Sequence, residues 1–553
     1  MKKTFLAIIA FSFVSSIFAQ EALKSVEEEY YDFLSLTGQV ERPTLGYRTL
    51  SDSEWTVTDE NHIWAENNLG TKYTLFENDN PAENWFANGI DQCVKLKVYG
   101  PEWYNSYNTN APYGQNDGAL WQGKGFNTSF STGARLEAYG FELTFKPQVS
   151  WSQNKEFDLI SNHCYGSVYS YFQPGIDFPQ RFGDESLKSF DFGDSEIRYT
   201  WHVLTIGAGF QNPWLGSAWL NPILGSNNAP SYPKIDAGLR KTGLYLPFCG
   251  LYIGDIEGRI WVGRLEESLY FDNNPDNNSR ILTGISASFE PSFVPNLTVG
   301  VNRIFMANWA AHNLKYVGRL FTLSHSNGSQ VGTHEDEDQK VAMFADWHFP
   351  SVGFEVWGEI GIDDFTSDKV ANPFHTAIYS VGVKQMTPMP VDWLKGEIIS
   401  EWNNFEMSQD FQLQWTYTGY YSHGAISQGY TNKGQILGAG TGSLGNSQFL
   451  GYKIYHPYGS IMLFYHRYCP DNNYIFNMAV DADASADSEN KTINKDYYAR
   501  YRTYRTYGIS VTQYIAHNFM INASLTRIFI AHSLYTQLNS MGISASLSAK
   551  YSF

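Results

Sequence analysis

Ser540-Met-Gly-Ile-Ser-Ala-Ser-Leu-Ser-Ala-Lys-Tyr-Ser-Phe553 closes the chain. Ile543, Ala545, Leu547, Ala549, Tyr551 and Phe553 fall on one side of an extended strand, and Ser544, Ser546, Ser548, Lys550 and Ser552 fall on the other. Successive side chains of a strand point to opposite faces, so one face here is apolar and the other small and polar. The same alternation recurs upstream. Phe126, Thr128, Phe130, Thr132, Ala134 and Leu136 share a face, and after Tyr139-Gly140 so do Phe141, Leu143, Phe145, Pro147, Val149 and Trp151. These strands have the length of a tilted membrane-spanning strand, about 9–11 residues or more, whereas soluble strands average about 5–6. Pro147 interrupts the second one, because proline removes a ladder donor.

A soluble sandwich strand would alternate equally well. The terminal Tyr-x-Phe decides between them: it resembles the C-terminal signal of bacterial outer-membrane barrels, which the barrel-assembly machinery reads through a residue such as Phe553. Met1 to Gln20 has the layout of an export signal, with Lys2 and Lys3 ahead of the apolar run Phe5 to Val14 and a small-residue exit at Ala19. The expected division is a signal peptide at 1–20, a periplasmic helical and loop segment at 21–90, and an outer-membrane barrel at 91–553. Ala22 to Thr37 carries an apolar helical face of Leu23, Val26, Tyr30, Phe33 and Leu34, with Gly38 as its stop.

The expected fold is all-β, an antiparallel transmembrane barrel of about 18 strands. The expected strands are 91–103, 125–138, 141–153, 161–172, 195–210, 242–250, 256–265, 280–290 and 296–306, then 340–349, 353–363, 373–386, 391–404, 448–456, 460–468, 499–515, 518–532 and 540–553. Short and long connections alternate between them, as periplasmic turns and extracellular loops do. The N-terminus and the turns are expected in the periplasm and the long loops on the cell surface. Segment 173–194 is the exception, placed on the periplasmic side or folded into the lumen.

Composition agrees. Over 553 residues the net charge is −18 and 16% of residues are aromatic, which suits aromatic girdles and a polar lumen. The acidic balance argues against nucleic acid as a partner, since phosphate neutralisation needs clustered Lys and Arg. Cys93, Cys164, Cys249 and Cys469 lack metal-ligand spacing, and their pairing stays open. No cofactor or metal is implied. No Gly-x-Ser-x-Gly elbow, His-Glu-x-x-His or phosphate-cradling glycine loop occurs, so no catalytic residue is assigned.

Several stretches together resemble one family. Gly175-Ile-Asp-Phe-Pro-Gln-Arg-Phe-Gly-Asp184 leads to Phe192-Gly-Asp-Ser-Glu-Ile-Arg198, then Gly207-Ala-Gly-Phe-Gln-Asn212 and Ser226-Asn-Asn-Ala-Pro230. Pro295-Asn-Leu-Thr-Val-Gly-Val-Asn-Arg303, Tyr430-Thr-Asn-Lys-Gly-Gln-Ile-Leu-Gly438 and Asn116-Asp-Gly-Ala-Leu-Trp-Gln-Gly-Lys-Gly125 complete the set. This run resembles the capsule-assembly Wzi family of outer-membrane barrels. The resemblance implies a lectin-like, non-enzymatic barrel that helps attach or organise surface polysaccharide. A general porin or solute channel is the rival, separated by whether the lumen is filled.

Carboxylates beside aromatic rings suit sugar, with acids taking hydroxyl hydrogen bonds while a ring covers an apolar sugar face. The inward residues expected to make such contacts are Asp346, Glu355, Trp357, Glu359, Asp363, Trp393, Glu397 and Glu401, with Arg198 and His202. The same charges would equally pair with Lys and Arg to stiffen the lumen. A second aromatic set lies in the long connections: Trp103, Tyr104, Tyr107 and Tyr113; Trp214, Trp219 and Tyr232; Tyr417, Tyr420, Tyr421 and His423. Deleting Phe553 is expected to impair membrane assembly while leaving export intact; normal assembly of that variant, followed by membrane fractionation, would count against the terminal-signal reading.

Overall fold

The computed structural model describes residues 25–67, 69–80, 83–161, 166–309, 315–321, 337–363, 375–414, 418–475 and 500–553. The expected signal peptide, part of the expected strand 161–172, Cys164 and Tyr417 lie outside them. Among the described residues eighteen strands close into one antiparallel barrel. In chain order they are β1 (Val94–Asn108), β2 (Gly125–Ala138), β3 (Phe141–Phe145 and Gln148–Ser152), β4 (Leu187–Asp191 and Glu196–Trp201), β5 (Leu204–Gly209) and β6 (Lys234–Tyr245). Next come β7 (Tyr252–Glu266), β8 (Ser279–Pro291), β9 (Leu297–Asn308), β10 (Glu337–Phe349), β11 (Phe354–Asp363) and β12 (Ala377–Thr387). The last are β13 (Lys395–Asn404), β14 (Asn446–His456), β15 (Gly459–Cys469), β16 (Thr503–Ala516), β17 (Phe519–Ala531) and β18 (Ser540–Tyr551). Closure runs between β18 and β1, from Ser544 opposite Asn108 to Lys550 opposite Glu102. A closed ladder leaves no lipid-exposed edge, which is what a bilayer demands of strands.

The alternation holds where it was strictest. Along β11, Glu355, Trp357, Glu359, Gly361 and Asp363 are buried while Phe354, Val356, Gly358, Ile360 and Ile362 stay partly open on the outer face. Phe141, Phe145, Phe130 and Leu547 are likewise exposed outward. Pro147 splits β3 as its missing N–H requires, and the facing strand β4 breaks beside it, with the Lys146 amide turning to Ser195 Oγ at 2.9 Å.

Three expected strands differ. The described part of 161–172 is not wall: Ser170 Oγ and N both donate to the Ser167 carbonyl, 2.7 and 3.3 Å, and this local hydroxyl-to-backbone turn outcompetes a ladder. Tyr171 and Phe172 then enter the interior core. The expected strand 195–210 is two strands joined at His202-Val203, with His202 at φ 51°; no glycine or Asn-Gly advertised the turn. The expected strand 242–250 begins earlier, at Lys234, because Lys234 and Asp236 point into the barrel while Ile235 points out. One loss and one gain cancel, so the count survives.

The tight connections 139–140, 202–203, 246–251, 292–296, 350–353, 388–394, 457–458 and 517–518 share one end of the barrel with the N-terminal segment and the C-terminus. The long ones share the other end. From the tight-turn end, helix α1 (Val26–Ser35) enters the lumen. Ser25 caps it, accepting the Glu28 amide at 3.2 Å, and Glu27, Glu28 and Glu29 occupy its positive first turn. Its acids meet lysines on the wall: Glu27 with Lys550 at 2.6 Å, Glu29 with Lys453 at 2.8 Å and Asp32 with Lys384 at 2.5 Å. Tyr30, Phe33 and Leu34 pack with Trp64, Tyr455 and Tyr514.

From the other end the long connections fold inward. Trp214-Leu215 forms a short antiparallel pair with Tyr47-Arg48 of the N-terminal segment, so chain from both mouths meets inside the barrel. A continuous apolar core of Tyr47, Leu215, Ile223, Tyr421 and Ile436, among others, fills the space around that meeting. Wall glycines make room for it. A Cβ at Gly284 would stand 2.1 Å from the Trp261 ring, and one at Gly382 2.1 Å from the Trp357 ring. About 18 strands would otherwise enclose an aqueous channel. The purified protein in a planar bilayer is therefore expected to show no large steady conductance; a large cation-selective current would contradict a filled lumen.

Candidate functional site

The inward carboxylates hold the plug. Glu359 Oε1 accepts the Ser217 and Ala218 amides at 2.7 and 2.8 Å, and its Oε2 accepts Ile223 at 3.0 Å. Glu401 accepts the amides of Trp219, Leu220 and Asn221 at 2.8, 2.8 and 2.9 Å. Glu257 on β7 accepts those of Leu45, Gly46 and Tyr47 at 2.9, 2.7 and 3.1 Å. An irregular loop inside a barrel has no ladder to satisfy its N–H groups, and each glutamate takes three of them.

The other expected site residues bind cations or rings of the interior. Arg42 reaches Asp32, Asp346 and Glu355 at 2.6, 2.9 and 3.1 Å, and its Nη1 lies 2.6 Å from His348 Nε2. Those three acids hold the Arg42 guanidinium charged, and Lys384 with Arg42 pulls the Asp32 carboxyl far below its ordinary range against the cost of burial. Asp346, His348 and Glu355 stand close enough to share a cation, and Arg42 already supplies it. Lys340 bridges Asp338 and Asp363 at 2.9 and 2.6 Å, and Arg198 bridges Glu196 and Asp236 at 3.1 and 2.8 Å. Trp357 is buried under Lys384, whose Nζ is 5.2 Å from the ring centroid. Glu397 lies buried beside the Tyr455 hydroxyl at 3.4 Å. His202 and Trp393 do not join the inward set. His202 occupies a turn under the Trp85 ring, and Trp393 sits in the connection 388–394, 57% exposed.

Most of the loop aromatics also turn inward. Trp214, Tyr232, Tyr420 and Tyr421 are buried, with the Tyr421 hydroxyl donating to the Ile223 carbonyl at 2.7 Å. Trp103 and Tyr107 face outward from β1, while the Tyr104 hydroxyl accepts from Gln122 at 2.8 Å inside. Tyr113 extends its hydroxyl toward Thr506 at 3.5 Å, Trp219 faces Phe449 with ring centroids 5.0 Å apart, and His423 Nδ1 accepts the Ile426 amide at 3.0 Å.

The motifs at 116–125, 175–184, 226–230 and 430–438 interlock with their neighbours to cap the long-loop mouth. Asn154 Nδ2 donates to the carbonyls of Phe182, Gly183 and Glu185, each at 2.9 Å. Asp177 accepts the Ser268 amide and hydroxyl, both at 2.6 Å. Asn432 Nδ2 donates to the carbonyls of Pro230 and Ser231, Asn228 Nδ2 to that of Ile436, and the Gly118 amide to Asn227.

Within this cap a cavity of about 210 Å³ opens, lined by Trp121, Tyr171, Phe172, Phe178, Gln180 and Arg502 among others. Arg502 pairs with buried Asp471 and lies 5.5 Å from the Phe172 ring centroid. Burial and the Asp471 charge push the Tyr171 and Tyr535 hydroxyls well above their ordinary values, so both remain donors, to Asp471. The indole N–H of Trp121 is buried and finds no acceptor among the described residues. Rings and a buried guanidinium at one opening suit a polyhydroxylated ring ligand. Sequence reasoning missed this group. Trp121 belongs to the motif at 116–125, but the sequence pattern places Tyr171 and Phe172 on a wall strand, and nothing local marks Arg502 within the expected strand 499–515.

The family model for capsule assembly protein Wzi matches residues 104–491. The structure of Wzi of Escherichia coli superposes with TM-score 0.57 at 12% identity, covering 97% of this chain and 99% of that one. It is described as an outer membrane protein involved in group 1 capsule assembly and a carbohydrate-binding β-barrel. Pseudomonas putida OprB is matched over 83% of this chain and 94% of its own, at 11% identity and TM-score 0.37. No curated protein matches.

Asp177 provides a pH test of the cap. It is fully buried, and burial raises its carboxyl from 3.8 to about 6, with Ser268 and Arg280 opposing. Its neighbour Glu267 is raised to about 7, again by burial first. A carboxyl whose folded pKa is raised contributes most below its unfolded value and loses that contribution as pH rises through the folded one, here between about pH 4 and 6, worth at most roughly 3 kcal/mol. Protection of residues 173–186 against hydrogen exchange, corrected for the intrinsic base-catalysed rate, is expected to be greater at pH 5 than at pH 8. Asp177→Asn should reduce that difference, and Glu267 keeps the remainder.

Proposed function

The chain belongs to the capsule assembly protein Wzi family, and from that premise we propose that it binds or organises surface polysaccharide at the bacterial outer membrane, lectin-like and without catalysis. The cavity at the long-loop mouth carries this reading, because it is the place where aromatic faces and polar groups converge on an opening. The carbohydrate binding described for Escherichia coli Wzi supports the same chemistry. In this reading the N-terminus and the tight turns are periplasmic, the long loops are extracellular, Phe553 engages the assembly machinery and the outer wall contacts outer-membrane lipid.

The wall residues act one step back from the sugar. Glu359 and Glu401 fix the loop 217–223, and Asp346, Glu355, Asp363, Glu397 and Arg198 neutralise or support the packed interior, so they position the cap rather than touch the ligand. Trp121 and Phe178 cover the apolar face of a sugar ring, and Arg502 takes its oxygens. A diffusion channel is disfavoured by the apolar core between the two plug segments.

Trp121→Ala and Phe178→Ala are each expected to weaken binding of capsular polysaccharide about tenfold, on the order of 1.4 kcal/mol, with heat-modifiable migration unchanged. Glycan-array binding of the detergent-purified proteins checks this. Wild-type affinity in both folded variants would remove the cavity from the reading.

A further inference from the structure

β18 ends before β1 does. It pairs with β1 only from Asn108 down to Glu102, and β1 bulges between Tyr99 and Glu102. At Gly100 a Cβ would fall 1.3 Å from the Tyr551 carbonyl oxygen, so the C-terminal strand passes there against bare backbone. Below that point a short strand from early in the sequence, Lys72–Phe76, takes its place along β1, with Lys72 opposite Lys97 and Phe76 opposite Val94.

This seam strand is two-faced. Lys72 is buried and reaches Glu54 and Glu137, both at 2.8 Å. Tyr73, Leu75 and Phe76 are 42%, 60% and 50% exposed. The chain then runs to a short helix, α2 (Trp85–Asn88), which is tied to the turn after β4. Trp201 Nε1 donates to the Phe86 carbonyl at 3.0 Å, the His202 amide to Gly89 at 2.6 Å, and the Trp85 ring stacks on His202 at 4.8 Å. Trp85 and Phe86 nevertheless remain 68% and 64% exposed.

Five large apolar side chains thus stand outside the barrel on the rim that also presents Leu136, Tyr139, Phe141 and Leu204 outward. A rim in water would carry charge at such positions; Trp, Tyr and Phe favour the bilayer interface. We propose that the strap formed by Lys72–Phe76 and Trp85–Asn88 is a lipid-contacting surface, extending the barrel's apolar belt at the tight-turn end. The described residues between 25 and 90 then divide into a lumenal plug and a membrane-bound strap. The inference rests on the barrel lying in a membrane, because the occupant is argued from continuity with its outer wall.

Single nitroxide labels test it in the full chain with Cys93, Cys164, Cys249 and Cys469 replaced by Ser, folded by the heat-modifiability criterion and reconstituted in phosphatidylcholine vesicles. Labels go on Leu75→Cys and Phe86→Cys, on Phe130→Cys as a wall reference and on Leu269→Cys as a long-loop reference. Oxygen should relax the strap labels several-fold more than a water-soluble nickel chelate does, as at Phe130. Nickel-dominated relaxation at both strap positions, with Phe130 still oxygen-dominated, overturns the proposal alone. Nickel dominance at Phe130 as well would overturn the membrane reading beneath it.

Discussion

Backbone amides inside a barrel are the constraint on which this structure depends. The wall satisfies its own N–H and C=O groups by closing on itself, but irregular chain placed in the lumen has neither ladder nor bulk water. Glu257, Glu359 and Glu401 answer this from three strands, each accepting three successive or near-successive amides. Removing one such carboxylate would leave several buried donors unpaired together, and unpaired buried donors cost far more than a made hydrogen bond returns. The acids are therefore conditions for having a plug at all.

Charge matching then sets which chain goes where. The helix α1 offers carboxylates at 27, 29 and 32, and β18, β14 and β12 present a lysine to each. Buried ion pairs add little net stability when compared with apolar replacements, yet breaking one side is expensive. Their value here is registration: a helix displaced by one turn would strand acids and lysines alike. The same logic applies to Arg42, gathered by Asp32, Asp346 and Glu355.

What could be read in the sequence follows from this division. Strands such as β11 and β18 were legible because lipid on one side enforces an uninterrupted period of two. β4 and β5 merged because the turn at His202-Val203 uses a residue in the left-handed region without glycine. The inward direction of Glu355, Glu359 and Glu401 was legible too, but their partners were not. Ser217 lies 142 residues from Glu359 and Leu220 lies 181 from Glu401, and nothing local announces a contact that only the closed barrel creates. The loop aromatics failed for a related reason: Tyr420 and Tyr421 have the composition of a binding platform, while their burial depends on segments packed over them.

The pairing of Tyr47-Arg48 with Trp214-Leu215 joins these two kinds of information. One partner belongs to the segment that enters from the tight-turn end, the other to a loop descending from the long-loop end. Loop 217–223 hangs from Glu359 and Glu401, and its continuation through Ser226 and Asn228 is bonded to residues 436–438, part of the cap around the mouth cavity. Order at the long-loop end is thus connected, bond by bond, to a helix seated at the opposite end. Because both segments fill the lumen together, the shape of the mouth depends on the whole interior rather than on its loops.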